Sequence, residues 1–170
     1  SVKINGKEYG ETPISIKNLP AGTYIVELTK ISSQQSFYKT HKFNIPLTKN
    51  SVSIINMEIG PNDHLHGAIL YYEKDSTKSE EKGKITITSD TEGSDVYINN
   101  EFLKPTPVTN IKLNTGEYTI SLSSKQYEDL EFPIIIREGY ILYVKGYQLP
   151  IPIYFEKVDK SVNFVGVRIT

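Results

Sequence analysis

The chain has 170 residues, with 19 Lys+Arg against 20 Asp+Glu for a net charge of −1, no Cys, no Trp and one Met. Balanced charge offers no electrostatic footprint for nucleic acid, and the lack of Cys removes disulfides, thiolate nucleophiles and iron–sulfur clusters at once. At 38% hydrophobic and 23% charged residues, the composition is that of a soluble globular chain with room for one large domain or two small ones, and its aromatics are skewed to 12 Tyr and 6 Phe.

Taken in order, the apolar residues alternate with a period of two, the signature of strands with one buried face. Val2 and Ile4 open the pattern, and Asn5-Gly6 follows as a two-residue hairpin turn, since both positions tolerate positive φ. Tyr24, Val26 and Leu28 form the next phase, followed by a polar stretch from Ile31 to Lys42 and strands near Phe43–Leu47 and Val52–Ile59. Gly67–Tyr72 reads as a strand, and residues 74–83 as a charged linker or long hairpin tip. The pattern then resumes with Ile85/Ile87, Val96/Ile98, Tyr118/Ile120/Leu122, Phe132–Ile136 and Tyr140–Leu149, and ends in two strands at Ile151–Val158 and Val162–Ile169. Nine prolines and no helical periodicity make the chain all-β. No apolar run is long enough to span a membrane. The opening at Ser1, inside a strand pattern and without a leader, predicts a fragment of a longer protein.

An offset of 94 positions aligns a long block of the chain with itself without a gap, and the copies differ after Leu28 and Leu122. Val2-Lys-Ile-Asn5 falls on Val96-Tyr-Ile-Asn99, Thr12-Pro13 on Thr106-Pro107, Leu19 on Leu113, and Gly22-Thr-Tyr24 on Gly116-Glu-Tyr118. The shared residues have backbone or core duties. Asn5 and Asn99 make hairpins, Gly22 and Gly116 are expected at positive φ, the Thr–Pro pairs start extended segments, and Tyr24 and Tyr118 face the core. The repeat therefore predicts two tandem antiparallel β-sandwich modules, residues 1–73 and 84–170, the second with a C-terminal hairpin extension.

These residues resemble the PEGA domain. Thr91-Glu-Gly-Ser94 is similar to the motif that names the family, Ile85–Asp90 to its first strand, and Leu113-Asn-Thr-Gly116-Glu-Tyr118 to its Leu-x-x-Gly-x-Tyr run. Copy one keeps Thr12-Pro13 and Leu19-Pro-Ala-Gly22-Thr-Tyr24 but begins past the first strand, which leaves a neighbouring edge to be filled by Gly67–Tyr72 or Val162–Ile169 if the chain fills it itself. The resemblance implies a small sandwich of immunoglobulin- or transthyretin-like style, an extracytoplasmic setting in a bacterial or archaeal surface or exported protein, no catalytic residues and no cofactor. It implies a spacer, scaffold or binding unit whose partner is a protein or a cell-envelope component.

Candidate chemistry is sparse. His64 and His66 with Asp63 could ligate a metal, although a polar loop entering a strand accounts for them more simply. Asp90, Glu92 and Asp95 have no calcium-loop spacing. No nucleophile elbow, triad or Gly-rich phosphate loop is present, and Asp and Glu cluster in turns, so the chain is read as no enzyme. The remaining candidates are Tyr140, Tyr143, Tyr147 and Tyr154, whose flat rings could anchor a protein interface or stack on a carbohydrate, or simply pack into a thin sandwich.

Overall fold

A computed structural model describes residues 1–77 and 80–152. The chain runs through β1 (Val2–Ile4), β2 (Lys7–Gly10), β3 (Gly22–Leu28), a 3-10 turn at Gln35–Phe37, β4 (His41–Leu47), β5 (Ile54–Ile59) and β6 (Leu65–Lys74). It continues through β7 (Lys82–Ser89), β8 (Asp95–Ile98), β9 (Glu101–Pro105), β10 (Val108–Asn114), β11 (Gly116–Ser123), β12 (Leu130–Ile136) and β13 (Tyr140–Tyr147). The all-β expectation is met. Of the two strands expected beyond β13, Val162–Ile169 lies outside the described residues, as does all of Ile151–Val158 after Pro152.

The repeat is visible in the topology. One four-stranded sheet has the order β2-β1-β3-β4 and the other β9-β8-β11-β12, the same path traced twice. Between them lies a five-stranded sheet, β10-β7-β13-β6-β5, drawn from both halves. Here β6 pairs antiparallel with β5 on one side and antiparallel with β13 on the other.

Side chains of β6 therefore alternate between two cores. Leu65 and Ile69 pack with Val2, Val26, Ile45 and Ile59 against the first sheet. Ala68, Leu70 and Tyr72 join Ile85, Ile87, Ile120 and Leu142 against the second. The molecule is thus three sheets deep, and the near-continuous apolar run of β6 reflects burial on both faces. Ile85, Ile87, Ile120 and Leu122 are fully enclosed, each contributing roughly 1.5–3 kcal/mol relative to exposure.

The repeated polar residues hold the turns. Asn5 and Gly6 have φ of 49° and 80°, and Asn99 and Asn100 have 48° and 66°, the left-handed pair that a two-residue hairpin requires. The Asn5 side chain also accepts a hydrogen bond from the Ile25 amide at 2.9 Å, and Asn99 accepts the matching one from Thr119 at 2.9 Å. Each asparagine thus makes the turn and ties it to the third strand of its four-stranded sheet, β3 or β11. Tyr24 and Tyr118 are half-buried against their cores, and their hydroxyls donate to the carbonyls of Pro20 and Asn114 at 2.6 and 2.8 Å. Each ring is thereby locked by a backbone carbonyl four residues upstream, as in a tyrosine corner.

The two glycines part company. Gly116 has φ of 142°, as expected, but Gly22 lies outside the positive-φ region. Gly116 follows a one-residue bend at Thr115 that carries the chain from β10 in the central sheet to β11 in the second four-stranded sheet, whereas the residues before Gly22 form no strand. The Thr12–Pro13 and Thr106–Pro107 peptides are both cis. The second starts strand β10; the first is followed by residues 14–20, which join no sheet.

Between β6 and β7 the chain is pinned by Asp75. Its carboxylate accepts hydrogen bonds from the Thr77 amide and hydroxyl at 3.0 and 2.8 Å and pairs with Lys84 at 2.9 Å. The Lys84 ammonium, then the Thr77 donors, hold the carboxyl at about 2, below its ordinary 3.8. A depressed folded value stabilises the protein above the ordinary carboxylate range, and that contribution disappears as pH falls through about 4 to 2. Thermal melts followed by circular dichroism should show a smaller loss of midpoint between neutral and acid pH for Asp75→Asn than for the parent chain. An equal loss would remove Asp75 from the acid response.

Candidate functional site

Among the described residues, the first four-stranded sheet covers only the β5–β6 side of the central sheet and nothing covers the matching face of β13 and β7. Where the cover stops at β4, an open groove of about 620 Å³ remains, with β4 as its wall and β6, β13 and β7 as its floor. The alternation of β13 decides which of its side chains reach it. Tyr143, Lys145 and Tyr147 point to this face, while Leu142 and Val144 point into the second core.

Aromatic rings dominate the groove. Tyr71 and Tyr143, directly paired across β6 and β13, stack with ring centres 5.2 Å apart and planes 13° apart. Tyr147 meets Phe43 of β4 edge-on at 6.1 Å, and Phe43 in turn lies parallel to His41 at 6.4 Å. The Lys145 ammonium sits 5.3 Å from the centre of the Tyr147 ring, within range of a cation–π attraction. The phenols of Tyr71 and Tyr143 are raised above 10.0, first by burial and then by the nearby Glu73 carboxylate, so both remain neutral donors in ordinary buffers. Burial lowers the His41 imidazole, and its Nε2 is enclosed without a hydrogen-bond partner among the described residues. The arrangement offers apolar faces, phenol donors and two lysine stems.

Of the four tyrosines singled out in the sequence, Tyr143 and Tyr147 share this groove. Tyr140 lies on the opposite face of β13, edge-on to Tyr72 at 6.1 Å beneath the Arg137 guanidinium. Tyr154 lies outside the described residues. The groove also draws in Tyr71, Phe43 and His41, which sequence reasoning did not group with it. Parity along β13 could have separated Tyr140 from Tyr143 and Tyr147; nothing local in the sequence announces that β4 closes over them.

The histidine segment does not converge. His64 Nδ1 lies 3.1 Å from the Pro61 carbonyl, His66 Nδ1 accepts the Leu149 amide at 3.3 Å, and Asp63 is paired with Lys39. Among the described residues no group of three or more His, Cys, Asp or Glu side chains is placed to hold a metal ion. Asp90 is likewise occupied, accepting the Gln148 amide at 3.2 Å. Beside it a buried polar knot closes the second sandwich. The Ser94 hydroxyl donates to Gln148 Oε1 at 2.7 Å, and Gln148 Nε2 donates to the carbonyls of Leu122 and Glu128 at 3.2 and 3.0 Å.

Compared with known families, the chain matches the PEGA domain twice, over residues 1–62 and 82–145. No curated protein and no solved structure matches it. Among the described residues no helix is long and apolar enough to cross a membrane.

Proposed function

We infer that this chain, which belongs to the PEGA domain family through both of its halves, is a non-catalytic structural and interaction module of an exported or surface-exposed protein. The observation that carries the reading is β6. Because it pairs on both edges and is packed on both faces, the two modules share a hydrogen-bonded sheet instead of a flexible tether. A shared strand fixes the distance and angle between the modules, which is what a spacer or scaffold must do. The aromatic groove beside β4 supplies a contact face of the composition that protein interfaces favour. Its partner is a protein or another component of the cell envelope. A carbohydrate-binding role draws no support from the same rings, because Tyr71 and Tyr143 cover each other's faces instead of presenting a flat row.

Rigidity is the measurable core of this reading. With no native cysteine, Glu8→Cys on β2 and Lys104→Cys on β9, both exposed, can be spin-labelled without interference. Pulsed dipolar spectroscopy should return one narrow distance distribution between them. A broad or two-peaked distribution would mean that the modules reorient, and the scaffold reading would be abandoned.

A further inference from the structure

The two four-stranded sheets repeat each other rung for rung. Lys3 of β1 pairs with Glu8 of β2 and with Glu27 of β3, and Glu27 pairs with Lys42 of β4. In the second sheet Tyr97 of β8 pairs with Phe102 of β9 and with Ser121 of β11, and Ser121 pairs with Glu131 of β12. The sequence offset places Lys3 on Tyr97, Glu8 on Phe102 and Glu27 on Ser121. Even the irregularity agrees, since the register shifts at Val2/Lys3 in one hairpin and at Val96/Tyr97 in the other. Both rungs lie on the outer phase of their sheets, because Val2, Val26, Val96 and Ile120 on the alternate phase face the cores.

The same backbone carries opposite chemistry. In the first sheet the rung reads Glu8, Lys3, Glu27, Lys42, so every charge has an opposite neighbour, and Lys42 stands 3.4 Å from Glu27. In the second sheet Phe102 is 58% exposed and meets Tyr97 edge-on at 5.6 Å. The outer phase around this pair is acidic, with Asp95, Glu117 and Glu131. Strands β8, β11 and β12 contain no lysine or arginine, and β9 contributes Lys104, opposite the buried Val96. An exposed aromatic pair and a carboxylate thus share one rung that holds no cation to answer them.

We propose that the outer face of the second sheet, at Tyr97 and Phe102, docks an arginine-bearing segment of a partner protein. This rests on the interaction half of the reading above and names the partner's chemistry. A guanidinium is planar, so it stacks on an exposed ring while its N–H groups pair with a carboxylate, and an ammonium gains less from the same surface. Neighbouring strands stand about 4.8 Å apart, which puts Glu131 two strand spacings from Tyr97. Ser121 lies between them where the first sheet has Glu27, a small side chain that leaves room for a cation lying across the rung. Its hydroxyl is 3.5 Å from Glu131 Oε2, which places the carboxylate beside that space. The face shares no strand with the aromatic groove, so the two surfaces are separate.

The test uses the full chain, isotope-labelled for NMR, and a capped peptide of alternating arginine and threonine. Saturable shifts confined to β8, β9, β11 and β12 are expected at physiological salt, with weaker binding when lysine replaces arginine. Phe102→Gln should weaken binding about fivefold, the loss of one exposed ring–cation contact. Because Phe102 is largely exposed, that variant should keep the parent melting temperature, which checks that it folds. Tyr97→Lys combined with Phe102→Glu copies the first rung onto the second and should abolish binding while the fold is kept. Phe102→Glu alone separates stacking from charge, since it adds a carboxylate. Tighter binding by that variant would overturn the proposal, as would no saturable binding, equal binding of the lysine peptide, or unchanged affinity in Phe102→Gln. Nuclear Overhauser contacts in the free monomer from the Phe102 ring to residues outside the second sheet would assign the face to the chain itself. Dimerisation that Phe102→Gln abolishes would assign it to a second copy. Each of these also overturns the proposal, and none alters the distance measurement on which the scaffold reading depends.

Discussion

Gly67→Ala is expected to lower the stability of the whole chain by roughly 3 kcal/mol, through strain at a backbone angle that side chains rarely adopt and through overpacking. Gly67 has φ of +149°, and a Cβ there would press into the Asn56 carbonyl oxygen and stand 2.8 Å from Met57 Cα. Both obstacles are backbone of β5, which is held in place by Ile55, Met57 and Ile59 in the first core, so the strand has little freedom to withdraw. The damage should not stay in the first module. Displacing β6 also disturbs Ala68, Leu70 and Tyr72, which belong to the second core. Chemical denaturation should therefore show one transition, shifted to lower denaturant, with exchange protection falling in β7 and β13 as well as in β5. Two transitions, with the second at the parent midpoint, would show that the shared strand does not couple the modules.

Leu142→Ala is expected to cost about 3 kcal/mol, within the range for emptying a well-packed core position. Leu142 is 1% exposed and lies in the same core cluster as Ile85, Val96 and Leu122, so the removed atoms leave a cavity walled by strands of both facing sheets. The same deletion on a solvent-facing phase is the control. Ile135, on the outer phase of β12 and 53% exposed, should change stability by no more than about 0.5 kcal/mol on replacement by Ala. If the two variants melted alike, burial would not be what separates these positions.

Much of this architecture is legible in the sequence because single residues carry it. Asn5-Gly6 and Asn99-Asn100 encode hairpins through their tolerance of positive φ, and the alternation of Val26/Leu28 with Ile120/Leu122 marks equivalent inner faces. Strands without that alternation were hidden. β2 reads Lys-Glu-Tyr-Gly and β9 reads Glu-Phe-Leu-Lys-Pro; as outermost strands with largely exposed side chains, they need no apolar phase. The continuous apolar run Gly67–Tyr72 identifies a strand, but which sheets lie on its two faces depends on pairings with residues up to 147, beyond any local signal. Gly22 illustrates the reverse difficulty. It matches Gly116 in sequence, yet Gly116 stands one residue after strand β10, whereas residues 14–20 before Gly22 form no strand, so the two glycines are entered from different backbone paths. The groove follows the same rule, since Tyr71, Phe43 and Tyr147 come together only after three strands have assembled.

The ten-residue strand β6 lies wholly outside both stretches that match the family, yet it contributes to both hydrophobic cores. What is repeated in the sequence is therefore not what is inherited as a working part. A gene rearrangement that carried either copy alone would split this strand from one of its two dependants and leave an apolar sheet face open to solvent. The sharing acts as a lock on recombination: once two modules lean on one strand, they must be duplicated, lost or moved together.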